Sequence, residues 1–198
     1  MILDCYTAEK QLEWAAHQNP GGWVNHSKFV AIACKRIADK CDNLSSDLAY
    51  CYGLLHDIGR YTGISSERHL IDGYRFCNGF RWDKAAQICI SHAFMIKNIH
   101  SSIGVFDVTD EDFLFIKRFL ETANYDDYDR LVQLCDALSL PTGFCILEKR
   151  FVDVALRYGM HPYTLARWKK TIEIKEYFER KADCSIYDLL PEVKKNIF

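Results

Sequence analysis

His56 and Asp57 stand side by side in Leu54-Leu55-His56-Asp57-Ile58-Gly59-Arg60, an imidazole next to a carboxylate in an apolar frame. Such a pair can grip one metal ion together. Upstream lies His26, in Trp23-Val24-Asn25-His26-Ser27, and downstream come His69, His92 and finally Asp136 in Leu134-Cys135-Asp136-Ala137. Imidazoles and carboxylates suit Zn, Mn, Fe, Ni or Co, and mixed nitrogen–oxygen sets occur in catalytic centres. Each residue alone has a plainer explanation. His26 could be a hydrogen-bonded core histidine, His56-Asp57 a helix end followed by a turn, and Asp136 an exposed helical acid. The ordered set is harder to explain that way. Three positions past Asp57, the Arg60 guanidinium could hold a phosphate bidentately, with a surface salt bridge as its competing role.

The elements that must bring these residues together read as helices nearly throughout. His26, Val30, Ala33 and Ile37 fall at i, i+4, i+7 and i+11, one stripe of a helix over 23–41 that turns His26 toward the core. Pro20-Gly21-Gly22 breaks the chain before it, after a short helix over about 7–18. A helix over 46–56, apolar at Leu48, Cys51, Tyr52 and Leu55, delivers His56 at its C-terminal end, and Gly59 and Gly63 then permit a turn. Helices follow over 66–78 and 83–94, with Asn78-Gly79 between them and a loop at 98–108. Thr109 and Asp112 have capping-box spacing and open a helix to about 122. Further helices fit 126–139, 146–158, 162–181 and 186–195, broken at Pro141–Gly143 and Gly159–Pro162. Asp126, Asp127 and Asp129 suit a helix start, and Asp136 shares a face with Val132 and Ser139.

The bulk composition narrows the class. The chain has 198 residues, 49% of them hydrophobic and 26% charged, which allows one domain with a substantial core. A net charge of −2 gives no basic footprint for duplex nucleic acid, though a small anionic substrate needs only a few local cations. Nine cysteines, an odd count with no C-x-x-C pair, read as small buried hydrophobes in a reducing cytosol. The first residues lack a signal-peptide pattern and no apolar run is long enough to span a bilayer, so a cytoplasmic location is expected, with no membrane partner.

The order His, His-Asp, His, His, Asp resembles the HD-domain superfamily of metal-dependent phosphohydrolases, over roughly residues 20–140. The resemblance implies an all-α, HD-like bundle of about eight to ten helices, one domain over 1–198 with residues 141–198 as a helical extension of the motif-bearing core. It implies that His26, His56, Asp57 and Asp136 hold one metal. His69 and His92 are similar to the extra histidines of the dinuclear branch, where Asp57 would bridge two ions. One or two divalent transition-metal ions (Fe, Mn, Ni, Zn or Co) are therefore expected. The expected chemistry is hydrolysis of a small phosphorylated substrate by a metal-activated hydroxide, with Asp57 and Arg60 as catalytic residues. Some HD-like proteins with the same six-ligand order are mixed-valent diiron oxygenases, and a non-catalytic metal-binding regulatory domain is a further alternative. Lys97, Lys117, Arg118 and Arg150 are cations that could line a pocket, though each reads first as a solvated helix charge, while His17, His100 and His161 fall outside the motif frames. The aromatics of residues 141–198 fit helices that close one side of a pocket, or equally a homodimer surface.

Overall fold

The computed structural model describes residues 2–193, among which ten α-helices and one minimal hairpin occur. Helix α1 (Cys5–Gln18) starts where the Asp4 carboxylate accepts the Thr7 amide at 2.7 Å, and it stops ahead of Pro20. Helix α2 (Gly22–Ala38) buries the whole predicted stripe, His26, Val30, Ala33 and Ile37. Helix α3 (Ser46–Leu55) buries Ala49 and every residue from Cys51 to Leu55, so it lies inside the bundle rather than on it. Helices α4 (Arg68–Gly79) and α5 (Asp83–Ser91) pair with each other beside it.

Helix α6 (Asp110–Thr122) opens on Thr109, whose side chain accepts the Asp112 amide. Helix α7 (Asp127–Ala137) opens on a full capping box formed by Asp126 and Asp129. The remaining helices are α8 (Leu147–Tyr158), α9 (Thr164–Ala182) and α10 (Ile186–Leu189). Helix α2 packs along α3, and α7 packs across both. Val30, Ile37, Leu55, Ile88 and Leu134 share one core with Phe178 of α9, which ties the extension to the motif-bearing helices. Burying each such side chain contributes roughly 1.5–3 kcal/mol. A smaller cluster of Leu70, Ile90, Phe94, Ile116 and Leu120 fixes α6 over α4 and α5.

Several boundaries differ from the expected ones, each for a local reason. The turn expected at Gly59 and Gly63 is a short 3-10 helix over Ile58–Thr62, and of the two glycines it is Gly63 that adopts a left-handed φ, at +122°. Gly59 answers a different demand. A Cβ there would lie 2.0 Å from the His69 carbonyl oxygen and 2.4 Å from the Gly73 nitrogen, so its hydrogen lets the 3-10 segment press against α4. The break at Pro141–Gly143 is a two-residue hairpin, β1 (Ser139–Leu140) against β2 (Gly143–Phe144), which ends α7 two residues early. The expected loop at 98–108 contains a 3-10 turn over Ile99–Ser101. The last expected helix runs only over 186–189, and its final residues 194 and 195 fall outside the described region. All nine cysteines are free, with Cys34, Cys51, Cys89 and Cys135 fully buried. Among the described residues no helix is long and apolar enough to cross a membrane.

Candidate metal centre

Helix ends do most of the positioning. His56 caps the C-terminus of α3, His92 caps that of α5, and His69 lies in the first turn of α4. Each anchors its Nδ1 on a nearby carbonyl: Gly53 O at 2.7 Å for His56, Ile88 O at 3.0 Å for His92, and Ser66 O for His69. A carbonyl can only accept, so Nδ1 carries the proton and Nε2 turns a lone pair inward. His26 reaches the same point from α2, and Asp136 of α7, which is in neither group of mutually close donor atoms, stands behind it and accepts from His26 Nε2 at 2.9 Å.

Asp57 stands at the centre. Its Oδ1 lies 3.2 Å from His69 Nε2 and 3.6 Å from His92 Nε2, and its Oδ2 lies 3.9 Å from His56 Nε2. The donor atoms form two groups, His26, His56, Asp57 and Asp57, His69, His92, each within 4.8 Å of one another and both containing Asp57. His56 Nε2 and Asp57 Oδ1 are buried without a hydrogen-bond partner. Lone pairs that converge on one another in a buried site are costly unless a cation lies between them. The buried His/Asp groups could therefore hold a metal ion, and the donor set fits one.

Electrostatics keep His56, His92, Asp57 and Asp136 in their ligand forms. Burial lowers the pKa of His56, and burial together with neighbouring His56 lowers that of His92 to about 4. Burial pushes the Asp57 carboxyl upward, but Arg60, His69 and His56 outweigh it and hold it well below the usual range. Asp136 behaves likewise, burial being overcome by its hydrogen bond and charge interaction with His26. Neutral imidazoles and ionised carboxylates are what a divalent cation needs. One consequence is measurable without metal. A histidine whose folded pKa lies below its unfolded value of about 6.5 contributes stability that is present above that value and lost as pH falls toward the folded one. From His92 alone, EDTA-treated protein should lose on the order of 2 kcal/mol between pH 7 and pH 5. Urea denaturation at the two pH values checks this, and His92→Gln should flatten the slope.

Arg60 stands beside the cluster with its guanidinium already engaged. Its Nε donates to Asp57 Oδ2 at 2.7 Å and its Nη2 to His69 Nε2 at 3.3 Å, so the guanidinium engages lone pairs of the cluster itself. It is part-buried rather than a surface salt bridge.

The cluster floors a cavity of about 670 Å³, within the range of small-molecule sites. Three arginines from beyond the motif region face it: Arg150 and Arg157 on α8, and Arg167 on α9. Arg167 is held by donating from Nη1 to Ser101 O at 2.6 Å, and Arg157 pairs with Asp153 at 2.7 Å. The spacing 150, 154, 157 of one helical face was the available signal for Arg150 and Arg157; Arg167 left none. Lys97, Lys117 and Arg118 are absent from the cavity wall. Glu67, unforeseen in the sequence, is a buried wall residue whose Oε1 accepts from Ser102 Oγ at 2.7 Å.

With fold and cluster in view, the comparison with known families is direct. The chain matches the HD domain family over residues 23–140, more than half its length, and it belongs to that family. No curated protein and no solved structure matches the chain at a comparable level.

Proposed function

We propose that the chain is a metal-dependent phosphohydrolase that cleaves a phosphate ester of a small molecule. The observation that carries this reading is the pair of donor groups sharing Asp57 on the floor of a cavity lined by four arginines. His26, His56, Asp57 and Asp136 would hold one divalent ion, and His69 and His92 with Asp57 a second. Bound there, such ions supply Lewis acidity that lowers the pKa of a water and offsets charge on phosphoryl oxygens.

The chain's own residues would do the rest. Arg150, Arg157 and Arg167 orient the phosphate by charge-assisted hydrogen bonds, and the planar fork of each can grip two oxygens. Helices α8 and α9 wall off bulk water from that side of the cavity. In the reaction a water oxygen bonds to phosphorus as the ester P–O bond breaks. The departing alcohol takes a proton from the water, and inorganic phosphate is released. Truncating Arg150, whose guanidinium has the longest intramolecular tie of the three, 3.7 Å to Asp153, should raise KM by about tenfold with a smaller change in kcat, the value of one charge-assisted hydrogen bond. Steady-state kinetics of Arg150→Ala checks it.

The reading as a whole is tested by phosphate release under anaerobic conditions. Protein loaded separately with Mn, Fe, Ni or Zn is offered a panel of nucleotides, sugar phosphates and simple phosphate esters. Turnover without oxygen is expected with at least one metal. Turnover confined to iron-loaded protein in the presence of oxygen would overturn the reading in favour of oxygenase chemistry.

A further inference from the structure

Beside the cluster the cavity adjoins a side pocket of about 130 Å³. Asp136, Arg150 and Arg167 line both spaces, so they stand at the junction. Ile103 and Val154 share that junction, and past it the walls turn apolar, with Met95, Phe151, Ala155 and Trp168. The Phe151 and Trp168 rings stack at 5.1 Å with an interplanar angle of 7°, which makes one rigid aromatic block of two helices. Two buried hydroxyls belong to this pocket, and both are engaged with the backbone. Thr164 Oγ1 accepts the His161 amide at 2.8 Å, and Thr171 Oγ1 donates to the Arg167 carbonyl at 2.9 Å.

Resting on the phosphohydrolase reading, we infer that the substrate is a phosphate ester bearing a small apolar alkyl or aryl group, which enters this side pocket while the phosphate lies against Arg150, Arg167 and the His/Asp cluster. The charged side chains of the side pocket all stand at the junction, and none lies beyond it, as such a molecule requires. A nucleobase is the wrong occupant: its hydrogen-bonding edge would be buried among Met95, Phe151, Val154 and Trp168, where a polar group without a partner is penalised. A plain inorganic or sugar phosphate would leave the pocket's apolar wall unused.

Binding of non-hydrolysable probes to the metal-loaded protein tests this without relying on turnover. Isothermal titration would compare inorganic phosphate, methylphosphonate, butylphosphonate, phenylphosphonate and adenosine monophosphate. Each added methylene should tighten binding by about fourfold while the pocket fills, and phenylphosphonate should bind on the order of tenfold tighter than methylphosphonate. Ala155→Phe, which fills the pocket, and Trp168→Ala, which removes its wall, should each erase that ratio. Equal binding of the methyl and phenyl compounds would overturn the inference, and so would tighter binding of adenosine monophosphate than of phenylphosphonate. Failure of every probe to bind, inorganic phosphate included, would instead remove the phosphohydrolase reading beneath it.

Discussion

Asp57→Asn is expected to strip the chain of its metal and its activity together. Asp57 is the residue common to both donor groups, and its two oxygens face His56, His69 and His92 within 4 Å. An amide of the same shape offers one neutral oxygen and one N–H donor, so it can neither bridge two cations nor balance their charge. The loss amounts to several kcal/mol of transition-state stabilisation, a fall in kcat/KM of about a thousandfold or more. Asparagine is preferred to alanine because Asp57 also pairs with Arg60 at 2.7 Å. Complete truncation would leave that part-buried guanidinium without its counter-charge and mix lost stability with lost chemistry. Elemental analysis and kinetics on the same preparation check the prediction. A variant with full metal content and full turnover would exclude Asp57 from the role.

The second large effect falls on a residue that touches no ligand. Gly59→Ala should destabilise the fold by more than about 3 kcal/mol, the range reserved for forced backbone displacement in a packed core. The new methyl would meet the His69 carbonyl oxygen at 2.0 Å and the Gly73 nitrogen at 2.4 Å, and both are backbone atoms of α4 that no rotamer change can move. Displacing α4 there also moves His69, a member of one donor group. Any Gly59→Ala protein that does fold should retain less metal than the parent. Chemical denaturation followed by metal analysis separates the two effects, and an unchanged midpoint would show that α4 yields more easily than its packing suggests.

The parts of this site that could be read in the sequence are those with local signatures. His56 and Asp57 are adjacent, and an apolar stripe sets the inward facing of His26. The acidic cluster Asp126, Asp127 and Asp129 marks the start of α7, where Asp126 and Asp129 form a capping box. What could not be read depends on packing between distant elements. Gly59 looked like a turn residue because sequence shows a glycine but not the neighbour that demands it. Arg60 allows a phosphate grip or a salt bridge by sequence, and only packing brings its guanidinium against Asp57 and His69 on the cavity wall. Arg167 sits on a long, mostly polar helix where one arginine resembles any other, and only the docking of α9 against the Ile99–Ser101 turn selects it. Glu67 carried no signal at all. Its burial comes from Ser102 and the backbone at Gly104, on a segment far along the chain.

Metal stoichiometry tests the central claim most directly. Purified protein would be stripped with chelator, reconstituted anaerobically with Mn or Fe, desalted and assayed for metal per chain by mass spectrometry. The arrangement of two donor groups around Asp57 predicts two ions per chain, falling to one in the His69→Ala/His92→Ala double variant and to none in Asp57→Asn. Parent protein that retains no ion after reconstitution with any of Mn, Fe, Ni, Zn or Co would contradict the account.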